Sequence, residues 1–97
     1  MQITDIKIRK LFNDSTPMKA IVSVTFDQQL AVHDIKVIST KDKHFIVMPS
    51  KQKSDDTYHD VVHPITREFR ETLEKAVLTQ YFNAVKEAEN AEHDDIA

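Results

Sequence analysis

Over residues 2–9 and 18–26 apolar and polar side chains alternate, so that Ile6 and Ile8 share one face and Ala20, Val22, Val24 and Phe26 share another. A period of two predicts half-buried strands. Between these segments Asn13-Asp14-Ser15-Thr16-Pro17 is a cluster of turn formers. Asp27-Gln28-Gln29 separates the second strand from a third at 30–38, on which Ala31, His33, Ile35 and Val37 fall on one face. Residues 39–43 separate that strand from a fourth at 45–48. Four consecutive strands with short links predict an antiparallel meander. Residues 58–63 read as a short fifth strand that Pro64 ends.

Beyond Pro64 the period changes. Ile65, Phe69, Leu73, Ala76, Val77, Tyr81, Ala84 and Val85 recur at three- and four-residue spacing, with no proline or glycine between them. This predicts one amphipathic helix over 66–88, with Thr66 as its N-cap and Glu68 as a favourable anion in its first turn. Residues 87–97 hold five acids and no base and read as a frayed acidic tail. The expected architecture is α+β: a β-meander of four to five strands in a single domain at 1–86, a C-terminal helix, and a disordered tail at 87–97.

A chain of 97 residues has room for one domain, which buries only about 60–70% of its unfolded surface. A deep, fully enclosed catalytic cleft is not expected at this size. The chain has no cysteine, which removes disulfide frameworks, thiolate nucleophiles and thiolate zinc sites, and suits a reducing, cytoplasmic setting. It also has no glycine, so tight turns must use Asn or Asp at positive φ, as at Asn13-Asp14 and Asp55-Asp56. No apolar run is long enough to span a bilayer, and the first residues lack the pattern of a signal peptide.

The net charge of −3 hides an asymmetry: residues 1–53 carry nine Lys or Arg against five Asp, and residues 54–97 carry four against eleven acids. The basic front suits a polyanion-facing surface, because local field rather than total charge steers a polyanion.

Several groups invite chemistry. His59 and His63 have the spacing of a helical metal pair, but on an extended chain four residues span about 13 Å, too far for one zinc ion. His33-Asp34 and His59-Asp60 are adjacent on strands, where neighbours point to opposite faces, so neither forms a local acid-base dyad. There is no glycine-rich phosphate loop and no nucleophile elbow. Catalysis, a metal, a cofactor and a small-molecule substrate are therefore not expected.

Lys51 and Lys53 lie in a polar loop, and Arg67 and Arg70 in the first turns of the helix. Cations at a helix N-terminus oppose its dipole unless an anion sits there, which makes these four residues candidate phosphate contacts. The competing reading pairs Arg67 with Glu71 and Arg70 with Glu74 at helical spacing. Phe45, Phe69 and Phe82 read as core rather than as a base-stacking platform, so backbone contact is favoured over base readout.

A set of blocks in fixed order carries a family resemblance. They are Gln2-Ile3-Thr4-Asp5-Ile6, Met18-Lys19-Ala20, Val22-Ser23-Val24-Thr25-Phe26-Asp27, His33-Asp34-Ile35-Lys36-Val37-Ile38, Met48-Pro49-Ser50-Lys51 and His63-Pro64-Ile65. Over residues 1 to about 81 the chain resembles the SpoVG family (stage V sporulation protein G) of small bacterial regulators. The resemblance implies a homodimeric α+β protein of the bacterial cytoplasm that binds DNA, and in some members RNA. It further implies a link to asymmetric septation in spore formers, and to surface, capsule or virulence genes elsewhere.

Lys51 matches the family's basic loop, whereas the arginine usual at the next position is Gln52 here, followed by Lys53. The family's Asp-Gly turn reads Asp55-Asp56, and an arginine usual in the following strand is His59. These departures bear on affinity and sequence preference rather than on the fold. An open meander also leaves edge strands unpaired, a reason of its own to dimerise through a sheet edge. The alternative function is a septation or division factor that docks another protein without touching nucleic acid.

Overall fold

Alternation in the first half of the chain becomes a four-stranded antiparallel sheet in the order β1-β2-β3-β4, formed by Ile3–Leu11, Met18–Phe26, Leu30–Ser39 and His44–Val47. Two further strands, β5 (Ser50–Gln52) and β6 (Tyr58–Asp60), pair only with each other, and α1 (Arg67–Ile96) closes the chain. This computed structural model describes residues 1–12, 15–41, 43–54 and 57–96, with side chains described as far as position 88. The turns expected at Asn13-Asp14 and Asp55-Asp56 lie outside the described residues.

The α+β meander-plus-helix expectation holds, with two differences. The strand expected at 58–63 is shorter and leaves the meander. It pairs instead with β5, which pattern could not reveal because Ser50, Lys51 and Gln52 are all polar and exposed. Beyond β6 the chain turns back at its base, where the Val61 N–H donates to the Pro49 carbonyl at 2.8 Å. The helix, in turn, runs past 88 to Ile96.

One face of the sheet is packed by α1. Ala20, Val22, Val24 and Phe26 of β2 are buried there as their alternation predicts, together with Val32, Ile35 and Val37 of β3, Ile46 of β4 and Met48. From the helix Leu73, Val77 and Tyr81 are buried against them, with Phe69, Leu78 and Val85 half-buried at the margin. Phe69 meets Phe26 with ring centroids 5.9 Å apart, and His44 packs against the rings of Tyr81 and Phe82. Two aromatic residues depart from expectation. Phe82 is half-exposed, and Phe45, paired with Ile38 next to buried Ile46, lies on the face of the sheet without the helix.

A bulge changes which residues of β3 point inward. Val22 pairs with Ile35 but Val24 with Val32, so His33 and Asp34 together oppose Ser23. Asp34 takes left-handed backbone (φ 64°) to accommodate the extra residue. The face therefore reads Val32, Ile35, Val37 instead of Ala31, His33, Ile35, Val37, and His33 is hydrogen-bonded but exposed.

The β2–β3 turn shows how the chain does without glycine. Asp27 and Gln28 both have positive φ, 52° and 57°, as the tightly twisted hairpin turns require. The start of β1 fastens them: Gln2 N–H donates to Asp27 Oδ1 at 2.9 Å, Asp27 N–H to the Gln2 carbonyl at 2.8 Å, and Gln28 N–H to Thr4 Oγ1 at 2.9 Å.

At the helix start Thr66 Oγ1 accepts from the Phe69 N–H at 3.2 Å, the N-cap that the sequence predicts. Thr66→Ala should lower stability by about 1 kcal/mol, read as a smaller urea midpoint at unchanged slope. At the far end of the packed face, burial raises the Tyr81 phenol above its ordinary value of 10.0. The folded state then holds this proton longer than the unfolded chain does. Stability should be unaffected by Tyr81 below about pH 10 and should fall as pH rises from there through the folded value. Tyr81→Phe should flatten that alkaline slope in urea unfolding series.

Candidate nucleic-acid interface

β5 and β6 form a separate two-stranded hairpin, and every residue of the two strands is exposed. Its register sets Lys51 opposite His59, and the Lys53 N–H donates to the Thr57 carbonyl at 2.8 Å, carrying the ladder one step further. Residues two apart on a strand share a face, and cross-strand partners share it too. Lys51, Lys53 and His59 therefore line one side of the hairpin, the two lysines about 7 Å apart along the strand. Among the described residues neither lysine makes an ion pair.

The histidines do not converge. His59 Nε2 lies 3.2 Å from Thr57 Oγ1 on the hairpin, and His63 Nδ1 lies 3.0 Å from the Pro64 carbonyl in the following loop. Among the described residues no group of three or more His, Cys, Asp or Glu is placed to hold a metal ion.

At the helix start Thr66 caps the Phe69 N–H, and the Arg70 N–H makes the first helical bond, to the Thr66 carbonyl at 3.1 Å. Arg67 Nε lies 3.3 Å from Glu71 Oε1 in an exposed pair, the arrangement that helical spacing allowed. Arg70 does not reproduce it with Glu74, whose Oε2 instead accepts from the Ile46 N–H of β4 at 3.5 Å. Of the two arginines, Arg70 is the one whose charge is unengaged among the described residues. The lysines and arginines occupy separate elements, hairpin and helix, joined by residues 61–66.

What pattern did not reveal lies beside this loop. An apolar groove of about 330 Å³ is lined by Phe26, Leu30, Val32, Val62, Ile65 and Leu73, among others. Ile65, expected on the packed face of the helix, precedes it and is 89% exposed. Its position just after Pro64 and before the N-cap takes it off the helical period.

The geometry defines a small sheet-and-helix domain with a separate two-stranded hairpin that carries Lys51 and Lys53. The SpoVG family model matches residues 1–83. A Caldanaerobacter subterraneus protein named "Putative septation protein SpoVG" is 47% identical over 92 residues, covering 95% of this chain and all of that protein. Proteins of the same name from Clostridium beijerinckii and Clostridium perfringens are 49% and 51% identical, over 90% and 84% of this chain and 94% and 89% of theirs. The chain belongs to the SpoVG family.

Proposed function

We propose that this protein is a bacterial regulator that binds DNA, and RNA in some settings, through phosphate contacts. We place its role in septation, the word in its relatives' name, or in sporulation or the gene expression linked to them. The observation that carries the reading is the exposed face of the β5–β6 hairpin, where Lys51 and Lys53 stand side by side without an ion-pair partner among the described residues. Arg70 and, behind its pair with Glu71, Arg67 are two further exposed cations, on the helix. Contacts of this type give affinity without base readout, so binding is steeply salt-dependent and modest in sequence preference.

The reading is one of binding rather than catalysis, in the cytoplasm. No helix among the described residues is long and apolar enough to cross a membrane. Homodimerisation through a sheet edge belongs to the same proposal. β1 and β4 are the outer strands, and β1 carries bulges near Thr4 and Arg9 and two exposed lysines, devices that blunt an edge.

The test is a titration of the protein against a labelled mixed-sequence duplex at rising salt, with sedimentation to establish the number of chains bound. Saturable binding whose logarithm falls linearly and steeply with log salt supports the proposal. Absence of binding at low salt overturns it in favour of a protein-docking role.

A further inference from the structure

The face of the four-stranded sheet turned away from α1 carries its own ordered set of charges. Register places Lys10, Ile21, Lys36 and Val47 in one row across all four strands. Adjacent strands lie about 4.8 Å apart, so Lys10 and Lys36 flank Ile21 at a backbone separation of about 10 Å. In the next row Lys7 pairs with Ser23.

Ser23 is a 6%-exposed polar residue in the middle of this face. Arg9 Nε lies 3.1 Å from its Oγ, and His33 Nδ1 lies 2.9 Å from the same oxygen. These bonds hold the Arg9 side chain over the sheet, where the β1 bulge between Ile8 and Lys10 has brought it. Among the described residues Lys7, Arg9, Lys10 and Lys36 make no ion pair.

Apolar side chains lie between and beside these cations. Ile21, Ile38, Phe45 and Val47 are half-buried on this face, with Lys43 Nζ 5.9 Å from the Phe45 ring centroid. A duplex keeps its base faces stacked inside, out of reach of such a surface. An unpaired strand offers phosphates together with exposed base faces, which match cations interleaved with apolar contacts.

We propose that this helix-free sheet face binds single-stranded nucleic acid, Lys7, Arg9, Lys10 and Lys36 holding the phosphates while bases lie on Ile21, Phe45 and Val47. The inference rests on the nucleic-acid reading above and adds to the hairpin a second surface with a different preference.

The experiment compares three forms of the full chain, wild type, Lys7→Gln/Lys10→Gln/Lys36→Gln, and Lys41→Gln/Lys75→Gln/Lys86→Gln, whose change in net charge is the same. The probes are a labelled oligothymidylate of about twenty nucleotides and a duplex of similar length. The sheet-face variant should lose about tenfold in oligothymidylate affinity, and its log-log salt slope should fall by about 2, at about 0.7 per phosphate contact. Its duplex affinity and the control variant should change little.

Thermal melting checks the fold. If the triple variant melts early, Lys10→Gln alone, at an exposed position, should give about a third of the slope change. An unchanged oligothymidylate slope, or an equal loss in the control variant, overturns the inference. If Lys51→Ala/Lys53→Ala weakens duplex binding while the sheet-face variant binds oligothymidylate like wild type, the inference alone fails. If wild type binds neither probe, both readings fail.

Discussion

Leu73→Ala should lower the free energy of unfolding by about 2–5 kcal/mol, the largest loss expected from any single truncation in the helix. Leu73 is 1% exposed, and it sits on the packed face of α1 four residues from Phe69 and four from Val77. Its side chain thus fills the layer between helix and sheet where neither can close over a gap. Small domains unfold with only about 5–15 kcal/mol, so the change removes a large share of what holds this one together. The melting temperature should drop by roughly 4–8 °C per kcal/mol lost. Urea unfolding provides the check. A midpoint shift at constant slope is the expected result, whereas a loss below about 1 kcal/mol would show that the helix is not the main cover of the sheet. Phe82→Ala, half-exposed one position after buried Tyr81, should cost clearly less.

The parts of this fold that could be read in the sequence are those where burial alone decided which residue went where. β2 buries Ala20, Val22, Val24 and Phe26 on one face, and α1 buries Leu73, Val77 and Tyr81 on one stripe, so the periods of two and near four survive intact. Pattern failed where backbone geometry intervened. One extra residue at His33-Asp34 shifts β3 by a position, and nothing in the apolar pattern announces that Asp34 will take positive φ. Phe45 was misplaced for a related reason. On a four-residue strand, β4, there are too few positions for alternation to say which neighbour of Ile46 faces out.

The candidate site was legible as charge and illegible as structure. Lys51 and Lys53 stand out in composition, but β5 has no apolar residue, so its pairing with β6 follows from hydrogen bonding that sequence pattern does not encode. The helix arginines divide for an equally local reason. Glu71 turns outward to Arg67, whereas Glu74 is drawn across to the Ile46 N–H at the edge of the sheet. Spacing treated the two pairs as equivalent, and packing separates them.

Replacing Lys51 and Lys53 together by alanine should reduce the log-log salt slope of duplex binding by about 2, about 1 for each phosphate contact removed, and weaken binding almost uniformly across sequences. The uniformity matters as much as the size. A lysine that reads a base loses discrimination when removed, whereas one that holds a phosphate loses affinity on every sequence alike. The exposed hairpin makes the substitution a clean one, since neither side chain is packed and the Lys53–Thr57 contact is made by backbone. Stability should therefore stay within about 0.5 kcal/mol of wild type. The arginines offer a graded comparison in the same assay. Arg70→Ala should cost more affinity than Arg67→Ala, because Arg67 must give up its Glu71 partner to reach a phosphate and Arg70 has no such pair among the described residues. Equal slopes for wild type and the double lysine variant would move the phosphate contacts off the hairpin, and a reversed order of the arginines would show that the Glu71 pair does not compete with the ligand.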